Sequence, residues 1–357
     1  MRSYRIAAIP GDGIGKEVIP AGLEVLRALQ ARAGDFELDV VEFPWGSDYY
    51  RETGRMMPED GLHELRGFDA IYFGAVGDPH LPDSLTLWGL RLNICQGFDQ
   101  YANIRPTRVL PGLLSPLRGA VPGTIDWVIV RENSEGEYAG HGGRAHVGHE
   151  IEVATETSIF TRVGVERIMR TAFRLAASRP RKLLTVVTKS NAQKHGMVFW
   201  DEVAAKVAQE FPEVTWEKEL VDAMAARMVR KPGSIDTVVA TNLHADILSD
   251  LAGALAGSLG VAPTANLDPE RRAPSMFEPI HGSAFDITGQ GIANPIATFW
   301  TACMMLEHLG EKAAADRLMR GIEVATANGV VTPDLGGKAN TAEVTAAVVE
   351  AIRSSND

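Results

Sequence analysis

Short strand-like runs alternate with long helical patterns along this chain, and that alternation restricts the fold more than any other feature. Residues 4–9, 70–75, 126–130, 182–188 and 237–240 are rich in apolar and β-branched side chains. The run Ala70-Ile71-Tyr72-Phe73-Gly74-Ala75 has no polar face, as befits a strand buried inside a parallel sheet. Residues 36–40 alternate instead, with Phe36, Leu38 and Val40 on one side. Helical stripes follow the runs: Val18, Val25, Leu26 and Leu29 after the first, Val198, Phe199, Trp200 and Val203 after that at 182–188. Strands and helices in that order specify an α/β protein. Residues 295–309, 311–328 and 341–353 read as closing helices, the last opened by Asn340 and Glu343 at capping-box spacing. The glycine-rich stretch 139–160 reads as a hairpin arm, and its His141, His146 and His149 match no zinc signature. Residues 273–294 read as one long functional loop without helix or strand periodicity.

A chain of 357 residues is too long for one small core and suits two domains or two lobes. Its net charge of −11 argues against an electrostatic surface for nucleic acid or anionic membrane, while leaving room for local basic clusters that bind small anions. Cys95 and Cys303 form no metal or redox spacing, which fits a reducing compartment. The first apolar run is too short for a signal peptide and nothing approaches a membrane span, so a cytoplasmic protein is expected.

The chemistry concentrates in Thr241-Asn242-Leu243-His244-Ala245-Asp246-Ile247-Leu248-Ser249-Asp250. A helix stacks Asp246 and Asp250 on one face about a turn apart, with Ile247, Leu248 and Leu251 turned to the core. Like charges at that spacing repel, so a hard divalent cation would settle them; a solvated helix face is the other reading. The turn Pro10-Gly11-Asp12-Gly13-Ile14-Gly15-Lys16 invites comparison with a dinucleotide site, but its glycines fall as G-x-G-x-G rather than G-x-G-x-x-G. Residues 83–100 form a helical stretch that is apolar nearly all round, with Arg91 and Cys95 four apart. Arg105 and Arg108 flank Pro106, and arginine suits carboxylate binding as well as a surface ion pair. The strand at 126–130 delivers Arg131 through Tyr138 at its carboxyl end, where open α/β sheets place ligands. Lys189 and Asp222 likewise follow strands, and Asp222 would serve equally as a helix cap.

Arg105, Arg131, Tyr138, Lys189, Asp222, Asp246 and Asp250, with the loop around His281-Gly282-Ser283, resemble the metal-dependent β-decarboxylating dehydrogenases, the family of isocitrate, 3-isopropylmalate, tartrate and D-malate dehydrogenases. The resemblance covers nearly the whole chain. It is sharpest from Asn242 to Asp250 and at Gly289-Gln290-Gly291-Ile292-Ala293-Asn294-Pro295. Within the family, Trp88-Gly89 and Gly97-Phe98-Asp99-Gln100-Tyr101-Ala102-Asn103-Ile104-Arg105-Pro106 are most similar to the tartrate and D-malate branch.

The resemblance implies a two-lobed isocitrate/isopropylmalate dehydrogenase-like fold, its parallel and mixed sheet flanked by helices. Residues 1–103 and 260–357 would form the larger, cofactor-binding lobe, and 104–259 a second lobe with the dimer interface and the arm near 139–160. It implies a homodimer whose shared sites use Lys189 and Asp222 of the partner subunit. Mn²⁺ or Mg²⁺ would be held by Asp222, Asp246 and Asp250, with a monovalent cation such as K⁺ as a further requirement. NAD would bind His281, Gly282, Ser283, Ala284, Asp286 and Asn294, with Asn191, rather than a Rossmann turn. A carboxylate at Asp286 would repel a 2′-phosphate and so favour NAD over NADP.

Arg105 and Arg131 would hold the carboxylates of a small 2-hydroxy dicarboxylate beside Trp88. Cys95 stands where the family carries its first substrate arginine, and Arg91, one helical turn earlier, is the candidate replacement. Lys189 would take the hydroxyl proton and Tyr138 would protonate carbon after CO₂ has left. The activity implied is NAD- and metal-dependent oxidation of tartrate, D-malate or related acids, with or without decarboxylation. A 3-isopropylmalate dehydrogenase and a non-catalytic regulatory subunit of the same fold are the alternatives. Trp88 and Cys95 speak against the first, and the complete acid–base set against the second.

Overall fold

The computed structural model describes residues 2–355, which divide into two compact units. The first comprises the chain through Gln100, Pro106–Ile125, and Gly253 onward; the second comprises Tyr101–Arg105 and Asp126–Ala252. The boundaries differ from those expected, because Pro106–Ile125 returns to the first unit. Arg108 there pairs with Glu323 at 2.9 Å and lies over the Trp300 ring, and the Ser115 hydroxyl donates to the Leu255 carbonyl at 2.6 Å. Among the described residues, no helix is long and apolar enough to cross a membrane.

In the first unit the strands lie in the order Phe36–Glu42, Arg2–Gly11, Ala70–Ala75, Ser275–Pro279, Pro263–Leu267. All neighbours are parallel except the last pair. Ala70–Ala75 is buried throughout, which explains why its sequence shows no alternation. Ser275–Pro279 corrects the expectation that residues 273–294 form one loop. It too is buried along its length, with Ala70–Ala75 on one side and Pro263–Leu267 on the other, and five residues containing Glu278 carry little strand signal. Residues 280–295 have neither helix nor strand. The helix Ile296–Leu309 buries ten of its residues, so its sequence is apolar on every face.

The turn between Arg2–Gly11 and the helix Gly15–Ala33 is tightly seated. Gly11 has φ +70°, and a Cβ there would lie 1.9 Å from the Ala75 carbonyl oxygen. The buried Asp12 carboxylate accepts from the Ser47 amide at 2.7 Å, the Ser47 hydroxyl at 2.8 Å and the Gly77 amide at 3.0 Å. Three donors on one carboxylate pin the turn to two neighbouring segments.

In the second unit the strand order starts from the Ala102–Arg105 part of the strand Ala102–Arg108, followed by Asp126–Glu132, Thr237–Ala240, Leu183–Thr188 and Thr215–Leu220. The last four run parallel, so their carboxyl ends open on one edge. Arg131, Lys189, Thr241 and Val221 stand at those ends. Gly136–Ala145 and Val153–Ile159 pair antiparallel as the expected hairpin, whose Val147, Ile151 and Val153 are exposed.

The helix Thr341–Ser354 begins with the capping box legible in the sequence: the Asn340 side chain accepts from the Glu343 amide at 2.8 Å, and the Glu343 carboxylate accepts from the Asn340 amide at 2.9 Å. Replacing Asn340 with Ala should lower unfolding free energy by about 1 kcal/mol, the usual cost of a lost cap, while Asn340→Asp should cost a few tenths at most. Denaturant unfolding of both variants checks this, and equal losses would show that the cap chemistry is not what holds this end.

Candidate active site

Two arginines in the second unit are almost fully buried: Arg105 is 4% exposed and Arg131 2%. A buried guanidinium needs acceptors, and a single helix face supplies most of them. The helix Asn242–Ala256 presents Asn242, Asp246 and Ser249 at helical spacing. Arg131 donates through Nε and Nη2 to the Asn242 Oδ1, at 2.9 and 2.6 Å, and through Nη1 to the Asp246 Oδ1. Arg105 donates through Nη1 to the same Asp246 oxygen at 3.2 Å and to the Ser249 hydroxyl at 2.6 Å, and through Nε to the Asn103 Oδ1 at 2.7 Å. The Tyr138 hydroxyl donates to the other Asp246 oxygen at 3.2 Å, and the Arg131 guanidinium lies 5.2 Å from the Tyr138 ring centroid.

The spacing of Asp246 and Asp250 called for a cation or solvent to settle their charge, and the structure adds two guanidiniums at Asp246. Asp246 answers two arginines. Asp250, a turn further on, is pushed above the usual carboxylate range by desolvation first and by Asp246 second, with Arg105 and Arg131 opposing. The helix orientation also differs in one respect: Leu248 is buried as expected, but Ile247 is 58% exposed.

Lys189 and Asp222 form a separate ion pair, which holds the Asp222 carboxyl below its ordinary range. Asp222 sits in the first turn of Val221–Arg230 and does not cap it. Among the described residues no three His, Cys, Asp or Glu side chains gather to hold a metal, so one chain does not bring Asp222 to Asp246 and Asp250. Asn191 is exposed in the turn after Lys189.

In the first unit, Arg91 ends a π-helical turn, Leu87–Arg91, and its guanidinium is committed internally. Nε reaches the two Glu278 carboxylate oxygens at 2.8 and 3.0 Å, Nη2 adds 2.7 Å, and Asn266 lies at 3.4 Å. Cys95 is buried in the core, while Trp88 on the same helical stretch is 38% exposed.

On the loop that follows Ser275–Pro279, His281 Nδ1 contacts the Gly282 carbonyl at 2.9 Å and Nε2 is buried with no hydrogen-bond partner among the described residues; burial lowers the imidazole pKa, which favours the neutral ring. The space around Gly282 is open, Ser283 gives its carbonyl to the Ile14 amide, and Ala284 takes a left-handed φ of +40°. Asp286 is exposed and its carboxylate accepts no hydrogen bond among the described residues. Asn294 is buried and doubly used, donating to Asp334 at 2.9 Å and accepting from the Ile296 amide at 3.0 Å.

Sequence reasoning missed Asn242, Ser249 and Asn103 as parts of the arginine network, because neutral amides and hydroxyls carry no charge signature. Glu137 was missed as well. Its carboxylate accepts from the Thr241 hydroxyl at 2.9 Å and the Leu243 amide at 3.2 Å, in the first turn where the helix dipole favours an anion.

The two aspartates should separate in a chelator-treated protein. Asp246→Asn leaves two buried guanidiniums short of their shared anion and should cost about 2 kcal/mol or more, below the 3–5 of a fully buried pair because Asp246 is partly exposed. Asp250→Asn removes a carboxylate that is harder to ionise folded than unfolded, so above its unfolded pKa stability should hold or rise slightly. Unfolding curves at neutral pH decide it, and an equal loss in both variants would contradict the geometry.

A family model described as isocitrate/isopropylmalate dehydrogenase matches residues 5–352. The chain is 73% identical to a probable tartrate dehydrogenase/decarboxylase of Agrobacterium vitis over 356 residues, covering 100% of this chain and 99% of that one. It is 51% identical to a D-malate dehydrogenase (decarboxylating) of Escherichia coli strain K12 over 359 residues, covering 99% of each. A solved isocitrate dehydrogenase from Methylococcus capsulatus matches with a TM-score of 0.88 at 34% identity, over 98% of this chain and 99% of that chain. With the arginine–aspartate network in place and likeness of this extent, the chain belongs to the isocitrate/isopropylmalate dehydrogenase family.

Proposed function

We propose that this protein oxidises small 2-hydroxy dicarboxylates, tartrate and D-malate among them, with NAD⁺ as hydride acceptor, and decarboxylates some of the β-keto acids formed. The meeting of Arg105, Arg131 and Tyr138 on Asp246, one turn from Asp250, carries this reading. It puts cations for carboxylates, acids for a metal and a phenol for proton transfer into one patch. Relatives named for tartrate and for D-malate support the same substrate class.

Asp246 and Asp250 suit Mn²⁺ or Mg²⁺, which take one or two carboxylates and fill the remaining positions with water and substrate oxygens; such an ion would acidify the substrate hydroxyl and polarise the keto group. The loop suits a dinucleotide, since His281 Nε2 is buried without a partner and Asp286 offers an uncommitted carboxylate. We place Lys189 and Asp222 of the partner subunit in each site of a homodimer. Leu243 and Ile247, exposed one turn apart on the aspartate helix, are apolar surface that such pairing would cover.

Arg105 and Arg131 hold the substrate carboxylates by charge-assisted hydrogen bonds. Lys189 of the partner subunit accepts the proton from the hydroxyl oxygen as hydride leaves the carbon bearing it for NAD⁺. Asp286 accepts from the adenosine ribose and repels a 2′-phosphate. After CO₂ departs, Tyr138 delivers a proton to carbon, its hydroxyl already oriented by Asp246. D-Malate gives pyruvate by this route, and according to its stereochemistry a tartrate gives oxaloglycolate, or loses CO₂ to hydroxypyruvate and takes the hydride back from NADH to give glycerate with no net redox change.

The test is a panel of 2-hydroxy diacids with NAD⁺ and each metal, reading NADH and CO₂ separately from the purified chain alone. No NADH from any of them would return the protein to a regulatory role. Within the panel, Tyr138→Phe separates two steps. With D-malate it should give a rapid NADH burst and then turnover slowed by roughly 10²-fold or more, the scale of losing a positioned acid. A tartrate that is oxidised without decarboxylation should lose far less. Equal losses on both substrates would reduce Tyr138 to an orienting neighbour of Asp246.

A further inference from the structure

The glycine-rich turn at residues 11–15 lacks dinucleotide spacing, and none of the chemistry above uses it. In the structure it is the seat of the loop that carries Asp286, within the same unit. The Ile14 amide donates to the Ser283 carbonyl at 2.8 Å, and a Cβ on Gly13 would lie 2.0 Å from that same oxygen. Three residues on, Glu17 in the first turn of Gly15–Ala33 spends both carboxylate oxygens on the loop. Its Oε1 accepts from the Gly289 amide at 2.7 Å and its Oε2 from the Gly291 amide at 3.0 Å. Beneath the loop, Ile14 and Val18 form a small apolar cluster with Ala293, against which Ala284 and Ile287 pack. The loop is thus gripped at Ser283 and again at Gly289 and Gly291, and Asp286 lies on the span between.

We propose that Glu17 is a positioning residue for the cofactor, acting through this loop. The inference rests on the reading that the loop takes NAD⁺. A span without helix or strand loses conformational freedom when it binds a ligand, and that loss weakens binding unless the free protein has already ordered it. One carboxylate holding two backbone amides does this in the free protein with charge-assisted bonds. Glu17 therefore acts on NAD⁺ affinity through the loop and leaves the chemical step alone.

The experiment compares the parent full-length chain with Glu17→Ala, Glu17→Gln and Asp286→Ala. It measures NAD⁺ binding by calorimetry, amide hydrogen exchange of the ligand-free loop, and kcat and KM with D-malate. Glu17→Ala should weaken NAD⁺ by about tenfold, the value of one or two lost hydrogen bonds to a charged group, and speed exchange across residues 283–291. Its kcat at saturating NAD⁺ should stay within about twofold, the pattern of a binding effect. Glu17→Gln keeps one acceptor and the side-chain length, so it folds as the parent does and should fall between. Faster loop exchange with unchanged NAD⁺ affinity would make Glu17 a structural clamp only and overturn the proposal, as would unchanged exchange and affinity in Glu17→Gln. If Asp286→Ala alone weakens NAD⁺, the loop binds the cofactor and the Glu17 inference fails by itself. If neither Glu17→Ala nor Asp286→Ala changes affinity, the reading of the loop fails and the proposal with it.

Discussion

Two guanidiniums with almost no exposure to water are the constraint around which the second unit is built. Moving a cation out of water is expensive, and an ion pair recovers that cost only where geometry is good and the remaining donors are satisfied. Arg105 and Arg131 satisfy them with Asn103, Asn242, Ser249 and the Asp246 carboxylate they share. Two cations on one anion leave the cluster positive until Asp250 is counted, and Asp250 is held reluctantly ionised. Well-packed apolar residues would serve stability as well or better. Under the function proposed above, the arrangement is a charge reservoir for an anionic substrate.

The backbone explains why these groups meet. Parallel strands deliver their carboxyl ends to one edge of the sheet, so Arg131 and the start of the aspartate helix arrive together although over a hundred residues separate them: Arg131 and Asp246 are 115 apart. The helix then spaces Asn242, Asp246, Ser249 and Asp250 along one face. Glu137, reached from the hairpin strand Gly136–Ala145, steadies the first turn through the Leu243 amide and so fixes where that face points.

What the sequence made legible follows from the range of each interaction. The buried strands were readable because burial on both faces leaves an apolar run, and the Asn340–Glu343 cap because it is local. The Asp246–Asp250 pair was readable from helical spacing alone. Its neutralisation by Arg105 and Arg131 was not, since no local pattern reports contacts 141 and 115 residues apart. Ser275–Pro279 escaped because its burial comes from neighbours on both sides rather than from its own composition. Ile247 was placed in the core by its chemistry, and the structure leaves it at the surface. The return of Pro106–Ile125 to the first unit depends on Arg108 and Ser115 finding partners late in the chain; its four prolines and three glycines mark an irregular stretch without saying which unit it joins.

The spacing of the glycines at residues 11–15 gains a physical meaning from this comparison. In a dinucleotide fingerprint the second glycine lets the backbone approach a pyrophosphate, and the third packs helix on strand. Here Gly11 meets the Ala75 carbonyl and Gly13 meets the Ser283 carbonyl, so each absent side chain makes room for protein backbone. Asp12 adds to the difference, because a buried carboxylate facing the same turn would repel a phosphate. Its three donors lock the turn to Ser47 and Gly77 instead. A turn filled in this way is held by its own protein contacts. Strand, glycine turn and helix therefore recur here with the opposite division of labour: the turn supplies rigidity, and the irregular segment resting on it supplies the exposed polar groups.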